Sequence, residues 1–173
     1  RRHVLHLIVN PTAGRGRALA HLDTVVTALE RGGARVERHT TASPTEVDAL
    51  VAALAPDDTA VAVGGDGTVH GVARACLAHD RRLGVLPFGS GDDFAHALGL
   101  RRDRHAQALQ ALLHGVERRI DVGTVDGVPF VNGFGTGFDA DVARRVHDAP
   151  PLYRGLGRYL YGVATAMRDF RLA

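Results

Sequence analysis

Lysine is missing from this chain: all 21 basic residues among its 173 are arginine. A Walker A loop needs Gly-Lys followed by Ser or Thr, with the ammonium on the phosphates, so that route to nucleotide binding is excluded. Cysteine is almost as scarce. The single Cys76 excludes a disulfide framework and fits a reducing compartment. On the apolar side of a helix it reads as a small core residue. No apolar run approaches the roughly 20 residues of a bilayer crossing, and no signal peptide fits the start. The expected location is therefore cytoplasmic, with at most peripheral membrane contact. A formal net charge of +2 implies no nucleic-acid partner. Repeats and low-complexity linkers are absent too. What the chain does have is a 45% hydrophobic composition, enough for a real core, and 21 glycines clustered at apparent strand ends.

The stretch that organises the rest is Thr59 to Thr68. Thr59 to Val63 reads as a buried strand, because β-branched residues suit a covered pleated surface. It stops at Gly64-Gly65, followed by Asp66, Gly67 and Thr68. A helix from about Thr68 to His79, capped by Thr68, would carry Val69, Val72, Ala73, Cys76 and Leu77 on one face. Strand, glycine turn and helix N-terminus together aim backbone N–H groups at an anion, usually phosphate. A ligand-free βα turn is the plain alternative; an acid among three glycines is poor turn economy unless something uses it.

The flanking chain repeats this pattern. Val4 to Val9 reads as a strand and Asn10 to Arg17 as a glycine-bearing loop. A helix to about Arg31 follows, with Leu19, Leu22, Val25, Val26 and Leu29 inward. Ala34 to His39 is a second strand. Ser43-Pro44-Thr45-Glu46 is a capping box that opens a helix ending near Pro56. Leu83 to Pro87 is a further strand, leading into the loop Phe88 to Ala95 and a short helix to Leu98. Asp103 can cap a helix to His114. This β-α-β-α-β-α-β-α order calls for an α/β fold, a parallel sheet with helices on both faces. Ligands of such sheets sit beyond the carboxyl ends of the strands, where all three glycine-rich loops emerge.

After Gly115 the texture changes. Val116 to Val125 and Val128 to Phe134 read as a β-hairpin about Asp126-Gly127. The expected domains are 1–122, α/β and nucleotide-binding, and 123–173, the truncated start of a mostly β second domain. Asp139 to Val146 and Leu152 to Phe170 read as helices. In the second, Leu156, Leu160, Val163 and Met167 make a stripe expected to pack against a neighbour, a membrane-surface role being the lesser reading.

Two other motifs fail. The Rossmann fingerprint begins at Gly65-Asp66-Gly67 and Gly89-Ser90-Gly91, but the third glycine position holds His70 and Phe94. Gly-x-Ser-x-Gly is absent. None of the ten histidines pairs at a trusted metal-ligand spacing, and most are expected at the surface. Acids at strand ends remain: Asp66, Asp92, Asp93 and Asp121. Carboxylates converging on one cleft repel unless a cation or its waters lie between them, and Mg²⁺ suits such a site. Helix capping is the plainer reading of Asp92 or Asp93. A loop-tip acid such as Asp66 is expected to add little to packing.

Four blocks in series name a family. Asn10-Pro11-Thr12-Ala13-Gly14, Gly64-Gly65-Asp66-Gly67-Thr68, Pro87 to Ala95 and Ile120-Asp121-Val122-Gly123 together resemble the catalytic domain of diacylglycerol kinases and related sphingosine and ceramide kinases. Gly-Gly-Asp-Gly alone is shared with NAD kinases and phosphofructokinases. The resemblance runs more weakly through Phe130-Val131-Asn132 and Gly137-Phe138-Asp139. It implies that ATP binds between the Asn10–Gly14 loop, with Pro11, and the loop of Gly64, Gly65, Asp66, Gly67 and Thr68. Thr40, Gly89 and Ser90 would lie near the nucleotide. Asp66, Asp93 and Asp121 would be catalytic, organising Mg²⁺ through water, and the γ-phosphoryl group would pass to a lipid hydroxyl.

The chain departs from that pattern. Ser90 and Asp92 stand where the family usually has Thr and Asn, and His70-Gly71 where it has Asn-Glu. Family members continue into an antiparallel β-sandwich that carries direct Mg²⁺ ligands and a candidate general base. The expectation for this chain is thus nucleotide binding with weak or no turnover, and apolar surface through which two copies could pair. An NAD kinase-like enzyme and a non-catalytic nucleotide-binding or assembly module are the alternatives.

Overall fold

The computed structural model describes residues 3–41, 43–100, 105–153 and 156–169, without the side chains of 14 and 15. The expected cap Asp103 lies outside the described residues. Four strands, β1 (Val4–Val9), β2 (Arg35–Thr40), β3 (Thr59–Gly64) and β4 (Arg82–Pro87), form a parallel sheet in the order β2-β1-β3-β4. The expected α/β class is the observed one. Every residue of β1 is buried, while β2 at one edge exposes Arg35, Glu37, Arg38 and Thr40. Charge on an edge strand is a common guard against strand pairing between chains.

Each connection is helical, as parallel neighbours require. Between β1 and β2 come a 3-10 turn (Ala13–Gly16), α1 (Arg17–Ala20) and α2 (Leu22–Arg31). The single helix expected here is two, broken at His21. Leu22, Val25, Val26 and Leu29 stay on the buried face, whereas Leu19, on the separate short helix, is exposed. After β2, α3 (Pro44–Ala53) starts as its capping box predicts, with the Glu46 N–H donating to Ser43 Oγ.

The next helix, α4 (Asp66–His79), begins two residues before expectation. Thr68 is inside its first turn and caps nothing; Gly65 occupies the cap position. Leu77 is exposed, and Ala75 is buried in the expected face's place. Following β4 are α5 (Asp93–Ala97) and α6 (His105–His114). Two cores sandwich the sheet. Leu5, Leu7, Val9, Val61, Val63 and Leu86 meet α2 and α6 on one face. Ile8, Ala60, Ala62 and Val85 meet α3, α4 and α5 on the other.

The hairpin is shorter than expected: β5 (Gly123–Val125) and β6 (Val128–Phe130). Asp126 and Gly127 both have positive φ, 49° and 76°, as a tight two-residue hairpin turn requires. Residues 116–122 form no strand. Val116 through Asp121 are all exposed, and a ladder needs a partner that this run lacks.

By its contacts the chain divides into two compact units, Arg1–Asn132 and Gly133–Ala173, and the hairpin lies in the first. In the second, α7 (Phe138–His147) packs on α8 (Leu156–Asp169). Here the expected face is reversed. Gly162 and Ala166 are the buried residues of α8, while Leu156, Tyr159, Leu160 and Met167 are exposed. A Cβ on Gly162 would come within 3.1 Å of the Val142 carbonyl oxygen, so backbone-close packing selects the small residues. Among the described residues no helix is long and apolar enough to cross a membrane.

Candidate functional site

Parallel pairing puts the ends of all four strands on one rim: Val9 registers with Thr40 and Val63, and Gly64 with Pro87. The Asn10, Gly64 and Phe88 loops therefore leave the same edge. The chain winds from β1 outward to β2 and returns to β3 on the other side of β1. That reversal makes a crevice between β1 and β3, where such sheets bind ligands. The Asn10–Gly14 and Gly64–Thr68 loops flank it.

The first loop is braced by Asn10, whose Oδ1 accepts from the Thr12 N–H at 3.0 Å and the Thr12 hydroxyl at 2.7 Å. The Ala13 N–H closes the turn on the Asn10 carbonyl. Pro11 is half-buried, and Gly14 lies within the 3-10 turn. Thr40 is exposed at the end of β2.

The second and third loops are clamped together. Asp66 accepts the Asp92 N–H on Oδ2 and the Asp93 N–H on Oδ1, both at 2.8 Å. Asn132, just beyond β6, donates from Nδ2 to Asp66 Oδ1 at 3.3 Å. The Phe88 N–H adds a bond to the Gly64 carbonyl. A Cβ on Gly89 would stand 2.6 Å from Gly65 Cα, so these backbones touch where only glycine fits. The expectation that Asp66 contributes little to packing is thus corrected: its carboxylate pins one loop to the other.

Asp92 is buried at the head of α5 with φ 58°. It makes no side-chain cap; its Oδ1 turns back to accept the Gly89 N–H at 2.8 Å. Asn and Asp tolerate left-handed backbone better than other non-glycine residues, so an Asx residue suits the position. Asp93 is exposed, with Oδ1 3.6 Å from where a Gly91 Cβ would stand; Asp66 Oδ2 is 2.7 Å from the same point. The structure thus gathers Asp66 and Asp93 about Gly91. Asp121 is exposed ahead of β5, and Ser90 is exposed at the third loop's tip.

Groups of three or more His, Cys, Asp or Glu with ligand atoms within 4.8 Å of one another reduce, among the described residues, to His6, Glu37 and His39. The three aspartates are not drawn into direct-ligation range of each other. Their chemistry still fits a hydrated cation. Asp66 Oδ2 keeps a lone pair after its amide bond, and Asn132 Oδ1 is buried without a hydrogen-bond partner in the protein. Oxygen acceptors facing ordered water are how Mg²⁺ is commonly held. Beside them Gly65 caps α4 with no side-chain bond, leaving first-turn amides for an anion, and a Cβ on Gly67 would meet nothing within 4 Å.

Two histidines and the asparagine were not among the residues expected here. Phe88 is stacked between His21 and His105, at centroid separations of 6.0 and 4.5 Å. His105 Nε2 also lies 2.9 Å from the Pro87 carbonyl, tying α6 to the end of β4. Asn132 lies in the weakly matched Phe130-Val131-Asn132 block, the only sequence signal pointing to it. Cys76 behaves as expected of a core thiol: it is buried, and burial raises its pKa to about 12, with Arg81 opposing weakly.

A parallel, doubly covered sheet with glycine loops and acids at its switch point defines an α/β protein whose ligand crevice lies at that edge. Residues 4–125 match the model of the diacylglycerol kinase catalytic domain. The chain belongs to that family, a family of lipid kinases. It is 38% identical over 135 residues to a diacylglycerol kinase of Bacillus subtilis, covering 76% of this chain and 45% of that one. It is 39% identical over 107 residues to a protein of Chromohalobacter salexigens named probable lipid kinase YegS-like, covering 60% and 33%. A solved putative diacylglycerol kinase from Bacillus anthracis superposes with a TM-score of 0.63 at 25% identity, covering 75% of this chain and 48% of that one. The chain spans half or less of the length of these relatives.

Proposed function

We propose that this chain is the nucleotide-binding portion of an ATP-dependent lipid kinase, which transfers the γ-phosphoryl group of ATP to the hydroxyl of a diacylglycerol-like lipid. The observation that carries the reading is the pair of glycine loops locked together by Asp66 beside the β1/β3 crevice. In this reading the Asn10, Pro11 and Gly14 loop and the Gly64, Gly65, Gly67 and Thr68 loop cradle the triphosphate. Thr40, Gly89 and Ser90 border it. Asp66, Asp93 and Asp121 hold Mg²⁺ through water, and the ion supplies charge neutralisation on the phosphoryl group when bound. Phosphoryl transfer depends mainly on positioning and electrostatics, which loop amides and arginines deliver without a lysine. A lipid acceptor requires contact with a membrane surface, so the protein is proposed to be cytoplasmic and peripheral.

The test has two arms. Calorimetry with ATP and ADP, with and without Mg²⁺, should show saturable binding to this chain; no heat with either nucleotide in the presence of Mg²⁺ would sink the site. Transfer from labelled ATP to diacylglycerol in vesicles, to sphingosine and to NAD should label the lipid when a protein of the relatives' length is assayed. Labelling of NAD instead would make the enzyme a soluble-substrate kinase. Nucleotide binding with no acceptor labelled in the longer protein would leave a non-catalytic module.

A further inference from the structure

A second constellation lies away from that rim, where the middle of β1 meets the edge strand β2. His6 pairs with Glu37 and Ile8 with His39 in the register, so all of these side chains share one face of the sheet. His6 is 6% exposed, an unusual place for an imidazole, while Glu37 is exposed and His39 half-buried. His6 Nδ1 lies 3.0 Å from His39 Nε2 and 3.7 Å from Glu37 Oε2. The other ring nitrogen, His6 Nε2, is 3.3 Å from Asp58 Oδ2, and Asp58 is itself held by the Val4 N–H at 2.8 Å on Oδ1.

A carboxylate accepts and does not donate, so Asp58 settles the tautomer of neutral His6: the proton is on Nε2, and Nδ1 carries a lone pair that accepts from His39 Nε2 when that nitrogen is protonated and no metal is bound. That lone pair, a second imidazole nitrogen and a carboxylate oxygen then converge. A carboxylate on the far nitrogen of a histidine is the usual support of a metal-bound imidazole, fixing its orientation and raising its basicity. The distances suit the same purpose. Ligands about 2.0–2.1 Å from a tetrahedral ion stand roughly 3.3 Å apart, a few tenths of an ångström from the two separations here.

We propose that His6 Nδ1, His39 Nε2 and Glu37 form a binding site for a divalent transition metal of the zinc class, with Asp58 as the positioning residue behind His6. The two imidazoles are borderline ligands that favour zinc, cobalt or nickel over magnesium, and the harder carboxylate is a ligand zinc also accepts. Three protein ligands leave a fourth position open to water on the exposed side of β2. The ion would staple the edge strand to β1. Arg35 lies 3.9 Å from Glu37 Oε1 and competes only weakly, because both groups are exposed.

The probe is Co²⁺, whose four-coordinate complexes absorb visibly, followed by displacement with Zn²⁺. One Co²⁺ per chain should bind with a tetrahedral spectrum that Zn²⁺ bleaches, and Zn²⁺ should raise the melting temperature. His39→Gln and Glu37→Gln lie on the partly exposed edge strand and should fold; each should weaken binding at least about tenfold and cancel the Zn²⁺-induced shift. Asp58→Asn should weaken it roughly 10–100-fold, as loss of such a supporting group does elsewhere. Absence of a tetrahedral spectrum would overturn the proposal. So would binding unchanged in His39→Gln, which would assign the ion to other histidines of the ten present.

Discussion

Asp66 shows how much one side chain can carry. It takes two backbone N–H bonds at 2.8 Å from the neighbouring loop, so its replacement costs stability as well as any catalytic role. Hydrogen bonds to a charged group contribute about 1.5–3 kcal/mol each when buried, and Asp66 is only half-buried. Asp66→Ala should therefore lower unfolding stability by about 1–3 kcal/mol, read from urea denaturation, and Asp66→Asn by less because one acceptor oxygen survives. Wild-type stability in Asp66→Ala would show that the clamp is idle. Asp92 offers the complementary test. Asn keeps both the tolerance of φ 58° and the acceptor for the Gly89 N–H, so Asp92→Asn should change stability by under about 1 kcal/mol. Asp92→Ala loses both and should cost about 1–3 kcal/mol. Equal effects from the two substitutions would count against this account of the position.

Single elements were read well where one face decides the outcome. α2 carries four buried residues at the helical spacing, and α3 starts at its capping box. α8 defied the same logic because its partner α7 selects small residues, leaving the larger apolar stripe outside. Arg145 ties the two helices, donating to Asp141 on α7 at 2.8 Å and to Asp169 on α8 at 3.0 Å. The hydrogen bonds from Arg168 and then Arg145 lower the Asp169 pKa to about 2. A depressed carboxylate stabilises the fold above its unfolded value of 3.8, and the contribution is lost as the pH falls toward about 2. Amide exchange at the carboxyl end of α8 should accordingly speed up, after correction for intrinsic rates, between about pH 4 and 2. The effect should shrink in high salt, since these groups are exposed. An NMR titration placing Asp169 near 3.8, or insensitive to Arg145→Gln, would remove the tie.

At the scale of the whole molecule, the sheet order β2-β1-β3-β4 turns three separate loops into one rim. Because Asp66 and the Gly65–Gly89 contact couple two of them, ligand binding at one should be felt at the other. Mg²⁺ with ATP should slow hydrogen exchange at the amides of 64–68 and 89–93 together. α6, on the opposite side of the sheet from α4, should be little affected. Protection of 64–68 alone would mean that the clamp does not transmit binding, and protection confined to α6 would place the nucleotide elsewhere.

The amino-acid sequence alone determined the β-α alternation, the glycine loops at strand ends and the family, because apolar periodicity, turn chemistry and motif order are local or linear properties. It also led to a site on one rim, since parallel strands leave no other arrangement. Only the tertiary structure decided what depends on which strands are neighbours and how closely backbones approach. Asp66 became a clamp because the Gly89 loop folds against it. His6 and His39, 33 residues apart, met because β2 lies beside β1, and the surface role expected of most histidines does not describe a ring held at 3.0 Å beneath a sheet edge. Spacing along a chain carries no information about register between strands, which is why that cluster could not be read before the fold was known.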